Sequence, residues 1–100
     1  MKTHNRKHNI NPIVLKINPI TGSTVLTVFS DGKRRTAHED NSLRTAYHSA
    51  YQEMCRERIR TLAVFIGSDR KPRKIEIEQV AAFACIELDP SLNYKAFRNE

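Results

Sequence analysis

Apolar positions along this chain follow two different periods, one after the other. From Pro12, Ile13, Leu15 and Ile17 alternate with Val14, Lys16 and Asn18, which is the period of a strand. Asn18-Pro19-Ile20-Thr21-Gly22-Ser23 then predicts a turn. Proline presets φ, and Gly22 can take the positive φ that closes it. Thr24–Ser30 is β-branched and aromatic and predicts a second strand. Asp31-Gly32 is a strong hairpin signal, and Lys33–His38 returns as a third strand. Residues 12–38 therefore predict a three-stranded antiparallel meander. A two-residue turn at Asp31-Gly32 sets Ser30 against Lys33, Phe29 against Arg34, Val28 against Arg35 and Leu26 against Ala37. Pleating sends Arg34 and Arg35 to opposite faces. One projects from the solvated face and the other snorkels at the edge of the core.

The period then changes to 3.6. Glu39-Asp40-Asn41-Ser42 offers capping oxygens and suits the positive end of a helix dipole. Tyr47, Tyr51, Met54, Cys55, Arg58, Leu62, Phe65 and Ile66 share one stripe, and Gly67 stands where a left-handed C-terminal residue belongs. The pattern predicts one long helix over about 41–66, although Thr61–Ile66 also suits a strand. Residues 68–74 form a basic connector. A second helix is expected over about 76–88, with Ile77, Val80, Ala81, Ala84, Cys85 and Leu88 on one stripe. Phe83 and Ile86 lie off that stripe. A helix apolar nearly all round is either central to the core or shared with a second subunit, and a homodimer with Phe83 or Ile86 at the contact is expected. Asp89-Pro90 predicts an N-cap and first turn for a short last helix over about 90–98. The fold class is thus α+β. Residues 1–10, polar, basic and aperiodic, are expected to form a flexible basic arm, and residues 11–100 a single small globular domain.

Composition narrows the class. A hydrophobic content of 39% and a mean hydropathy of −0.58 fit a folded chain rather than a disordered one. No apolar run approaches the ~18–20 residues that span a bilayer. The N-terminus has charges but no apolar segment of the kind a secretory signal needs, and Lys2 stands where myristoylation requires glycine. Cys55 and Cys85 sit within apolar patterns, and buried reduced thiols of a cytoplasmic protein are expected ahead of a disulfide or redox pair.

The charge is asymmetric. The formal net charge is +6, and all of it belongs to residues 1–38, which hold seven basic side chains and one acidic one. With a pI near 9.7, that asymmetry favours a polyanion, nucleic acid first, and DNA ahead of RNA. Lys2, Arg6 and Lys7 form the arm. Lys33, Arg34 and Arg35 follow the hairpin turn. Arg70, Lys71, Arg73 and Lys74 form the connector. Cationic arms follow phosphates, and sheet edges or ribbons enter grooves. The same residues also keep turns soluble and guard edge strands. Arg56, Arg58 and Arg60 read instead as a self-neutralised face, because Glu53 and Glu57 precede Arg56 and Arg60 at helix ion-pair spacing.

Motifs of catalysis and metal binding do not occur. Three isolated glycines cannot build a phosphate loop, and there is no Cys-x-x-Cys or His-Glu-x-x-His. His4 and His8 have metal spacing only for a helix that their segment does not predict, and His48 reads as solvated. No enzyme activity, cofactor or metal is expected.

Two resemblances bear on function. Three strands followed by a helix, over residues 12–60, resembles in architecture the DNA-binding domain of phage-type integrases and of plant ethylene-response transcription factors. Glu78-Gln79-Val80-Ala81-Ala82-Phe83-Ala84-Cys85-Ile86, then Asp89-Pro90-Ser91 and Lys95-Ala96-Phe97-Arg98, resembles a helix-turn-helix of the AraC type. Glu87 and Leu88 exceed that family's turn by two residues, and Cys85 replaces its glycine. The expectation is a small non-catalytic nucleic-acid-binding protein, a regulator or accessory factor, with no membrane association. Its rival is a protein-interaction module, an adaptor or inhibitor, acting through the apolar C-terminal helix as a dimer.

Overall fold

A computed structural model describes residues 11–99. The elements are β1 (Ile13–Ile17), β2 (Thr24–Ser30), β3 (Lys33–Asp40), α1 (Leu43–Glu57), β4 (Thr61–Ile66), β5 (Arg73–Glu76), α2 (Ile77–Phe83) and a 3-10 turn at Tyr94–Ala96. The α+β class and the N-terminal meander are as the sequence predicts. The strands form one five-stranded sheet in the order β3-β2-β1-β4-β5. β1 pairs antiparallel with β2 and parallel with β4, and β5 adds an antiparallel edge.

Local chemistry sets these elements. In the β1–β2 turn, Asn18 Oδ1 accepts from the Ile20 N–H at 2.9 Å, and Gly22 takes φ +79°. Asp31 (φ 55°) and Gly32 (φ 76°) make the β2–β3 turn with the two positive φ values a type I′ hairpin needs. Ser30, Phe29 and Val28 face Lys33, Arg34 and Arg35 as expected. A bulge between Leu26 and Thr27 then shifts the register, so Leu26 faces His38 rather than Ala37. Ser42 caps α1, accepting from the Thr45 N–H at 3.3 Å.

The expected long helix ends early. α1 stops at Glu57, Arg58 is left-handed (φ 55°), and the Ile59 N–H returns to the Met54 carbonyl at 2.9 Å. That is a Schellman stop, with Ile59 and Met54 both fully buried beside it. Thr61–Ile66 is strand β4, the alternative its β-branched and aromatic residues allowed. Gly67 is left-handed as expected, but it ends a strand and not a helix. Part of the basic connector is strand too, since Arg73 and Lys74 open β5. The second helix covers only Ile77–Phe83. Cys85 (φ 58°) occupies the left-handed position after it, and the Ile86 N–H reaches the Ala81 carbonyl at 2.8 Å. Asp89 does not start a helix. Its carboxylate accepts from the Ser91 hydroxyl at 2.7 Å and from the Ser91 N–H at 2.9 Å, which holds its pKa below the usual value. Only the 3-10 turn follows, so the second helix of a helix-turn-helix does not form and that resemblance is overturned.

Both helices cover the same sheet face. Ile13, Leu15, Leu26, Val28, Leu62 and Val64 point into a core with Ala46, Ala50, Met54, Ile77 and Val80. The C-terminal segment closes one side. The Tyr94 and Tyr51 hydroxyls meet at 2.5 Å, and Arg98 bridges to Ile59. Burial and this hydrogen bond raise the Tyr51 pKa well above its ordinary value.

The non-glycine left-handed stops cost stability. Cys85→Gly is expected to raise unfolding stability by about 0.5–1 kcal/mol. It relieves backbone strain worth about 1–2 kcal/mol at an exposed site, partly offset by the glycine's unfolded-state entropy. Urea denaturation followed by circular dichroism checks this, and an unchanged or lowered midpoint would count against strain at the cap.

Candidate functional site

Pleating divides the strand residues between two faces, and the helices lie on one. On the other, register places Arg34 and Phe29 in one row, Thr36, Thr27, Val14 and Ala63 in the next, and Val25, Lys16 and Phe65 in a third. No described helix packs over this face. A shallow cleft of about 290 Å³ opens there, and Val14, Lys16, Thr27, Phe29, Arg34 and Phe65 are among its lining residues. Phe29 and Phe65 are half-buried, and Lys16 and Arg34 are exposed.

The hairpin splits its arginines as the pleat requires. Arg35 turns to the helix face, where its Nη2 donates to Glu53 Oε1 at 2.7 Å. That hydrogen bond and the carboxylate's charge raise the guanidinium's pKa. Glu53 is a buried carboxylate on α1, and Arg56 Nη1 approaches the same oxygen at 4.0 Å. Ser30 Oγ donates to Glu57 at 3.2 Å and adds a second tie between hairpin and helix. Arg35 thus ties the hairpin to the helix, and of the expected nucleic-acid set it is the member with an acidic partner on the helix side. Lys33 and Arg34 are exposed, and among the described residues they have no acidic partner.

The other basic groups separate. β3 and β5 are opposite edges of the sheet, and the β4–β5 turn lies at the opposite end of the strands from the β2–β3 hairpin. Arg70, Lys71, Arg73 and Lys74 therefore sit diagonally across the sheet from Lys33 and Arg34, not in one patch with them. Arg60 lies beyond the helix end and pairs with Glu76, its Nε 3.2 Å from Oε1 but poorly aligned for a hydrogen bond. The expected pairing with Glu57 does not occur. Arg58 instead stands over the Phe97 ring at 5.8 Å.

Lys2, Arg6, Lys7, His4 and His8 lie outside the described residues. The chain enters the sheet beside the hairpin, however, where the Phe29 N–H donates to the Pro12 carbonyl at 2.7 Å. Phe83 is 44% exposed and packs on Tyr47, ring centroids 4.9 Å apart, while Ile86 is half-buried against the core. Among the described residues no helix is long and apolar enough to cross a membrane.

Lys16, Phe29 and Phe65 were not among the residues singled out from the sequence. The signal for Phe29 was present in TVLTVFS, which is apolar at Val25 and Phe29 as well as at Leu26 and Val28, and so on both faces. The 3.6-residue pattern places Phe65 on a helix stripe, where it cannot meet Phe29. Searches against protein-family models, curated proteins and solved structures find no match to this chain.

The split of the arginine pair has a measurable consequence. Arg35→Ala is expected to lower the urea midpoint, because it strands the buried Glu53 carboxylate. Arg34→Ala should leave that midpoint within error. Equal effects of the two substitutions on stability would contradict the assignment of faces.

Proposed function

We propose that this protein binds nucleic acid without catalysis, gripping the backbone with the hairpin cations Lys33 and Arg34 and with the basic segment that carries Lys2, Arg6 and Lys7. One observation supports this most. Residue 10 leads directly into Asn11 and Pro12, and Pro12 is hydrogen-bonded to the hairpin residue Phe29. The seven basic residues of the first 38 are thus tethered to one end of the sheet or stand on its first three strands. Lys33 and Arg34 are not neutralised within the described fold, so phosphates can pair with them without breaking an internal contact. Arg35 takes no direct part. The second cluster, from Arg70 to Lys74, serves at most a distant stretch of a long strand. Duplex DNA and single strands of either sugar are all candidate ligands, and the role is that of a regulator or accessory factor in the cytoplasm.

The rival reading, a protein-interaction module, draws on the exposure of Phe83 and Leu88, at 44% and 36%, at the end of α2. A homodimer through Phe83 would sediment at twice the chain mass, and Phe83→Asp would release monomers.

Salt separates the two readings. Mobility shifts on random duplex and single-stranded oligonucleotides, at about 50 and 200 mM salt, should show affinity falling steeply with salt. The double variant Lys33→Gln/Arg34→Gln should flatten the log–log slope by roughly two units, with about 0.9 unit per phosphate contact on duplex. Its stability should stay within about 0.5 kcal/mol of the parent. Absence of binding by the parent below ~100 µM at ~100 mM salt removes the nucleic-acid reading and leaves the interaction module.

A further inference from the structure

The open sheet face has features that phosphate binding alone does not explain. Exposed faces of antiparallel sheets usually alternate to polar residues. Here the three central strands present Val25, Phe29, Val14 and Phe65 outward. Apolar groups gathered on a face that no described element covers mark a surface that something else occupies.

The charges on that face select the occupant. Lys16 stands in register between Val25 and Phe65, and Arg34 stands beside Phe29. Neither has an acidic partner among the described residues. Lys74 lies on the same face at the β5 edge. The acids there are Glu39, opposite Val25 on β3, and Glu76, which is engaged by Arg60. An aromatic surface interleaved with cations complements a ligand that has both flat apolar rings and negative charge. A second copy of this chain would bring the same cations against themselves.

From this juxtaposition we infer that the open face is a stacking platform for unpaired nucleobases, with Phe29 and Phe65 as the stacking rings and Arg34 and Lys16 on the adjoining phosphates. The inference rests on the nucleic-acid reading and narrows its ligand to single strands. Duplex bases are already stacked and offer no free ring face, whereas every unpaired base does. Phe29 lies level with Pro12 and Phe65 level with Lys16, four residues apart along the strands and two strands apart across them. That separates the rings by roughly 13 Å along and about 10 Å across the sheet. The two rings therefore hold bases that are not neighbours in the strand, and the backbone between them crosses Val14 and Lys16. The hairpin cations Lys33 and Arg34 continue the path at the Phe29 end.

The test is fluorescence anisotropy of the full chain with labelled 20-mers of oligo-dT and oligo-U and a random 20-base-pair duplex. Single strands should bind more tightly than duplex, and the two oligomers distinguish a DNA from an RNA ligand. Phe29→Leu/Phe65→Leu should weaken single-strand binding at least about 25-fold, from roughly 5- to 150-fold per lost stacking ring, and leave duplex binding and salt slope unchanged. Phe29→Tyr/Phe65→Tyr keeps both rings and should retain parental binding, which separates lost stacking from a disturbed sheet. Parental affinity in the leucine variant overturns the platform but leaves the hairpin reading standing if Lys33→Gln/Arg34→Gln still weakens binding. No binding to any of the three probes overturns both. Light scattering that shows a dimer dissociated by the leucine pair, with no effect on nucleic acid, assigns the face to a second copy and overturns the platform.

Discussion

The parallel pairing of β1 with β4 is the constraint on which the rest of the structure depends. Antiparallel neighbours can be joined by a two-residue turn, but parallel neighbours need a crossover that leaves the sheet and returns. Here the crossover from the meander to β4 is α1, and it must lie on one face. α2 then packs beside α1 rather than across the sheet from it. Ile13, Leu15, Leu26, Val28, Leu62 and Val64 are consequently sealed, and among the described residues the reverse of the same strands has no helix over it. The sidedness of the molecule follows from a single strand pair.

The hairpin carries that sidedness into electrostatics. Two adjacent arginines on a strand must part, and their fates differ by what lies on each face. On the helix side a buried carboxylate waits, and Arg35 satisfies it at 2.7 Å. An ion pair of this kind is poor evidence of added stability, since desolvation offsets much of its attraction. It does fix the hairpin over α1, helped by Ser30 and Glu57. On the other side Arg34 stands next to Phe29 and is exposed. The geometry of one turn thus ties one guanidinium to Glu53 and leaves the other without an acidic partner among the described residues.

Much of this was legible in the sequence because the meander is built from local rules. Alternation, Pro19, Gly22 and Asp31-Gly32 each act within a few residues, and together they fix three strands and a turn. The bulge beside Leu26 was not legible, since the extra residue at Ala37 carries no turn residue to announce it. The helix ends failed for a related reason. Both stops use left-handed residues that carry a side chain, Arg58 and Cys85, where a glycine would have signalled the break. The stripe through Leu62, Phe65 and Ile66 then continued by coincidence of spacing across a strand whose β-branched residues pointed the other way. β5 was hidden by its charge. A four-residue edge strand is where lysine and arginine protect unpaired backbone, so the composition of an edge and of a solvated connector look alike. The candidate site depends on the same elements. Phe65 could be placed beside Lys16 only once β4 was a strand parallel to β1.

The open face also meets water in the described fold, and the same residues moderate that contact. A lysine placed between apolar neighbours lays its methylene stem along them while the ammonium stays in water. Lys16 occupies that place between Val25 and Phe65, and Arg34 is set likewise beside Phe29. Long cations among half-buried rings therefore limit how much apolar surface water meets. Like charge on that face also opposes its pairing with a second copy of itself. Under the proposal above, an anionic ligand would reverse both terms at once, because it would neutralise the cations and offer the rings a flat apolar partner. Such a composition is what the proposed platform requires, and a purely apolar face on so small a sheet would not meet it.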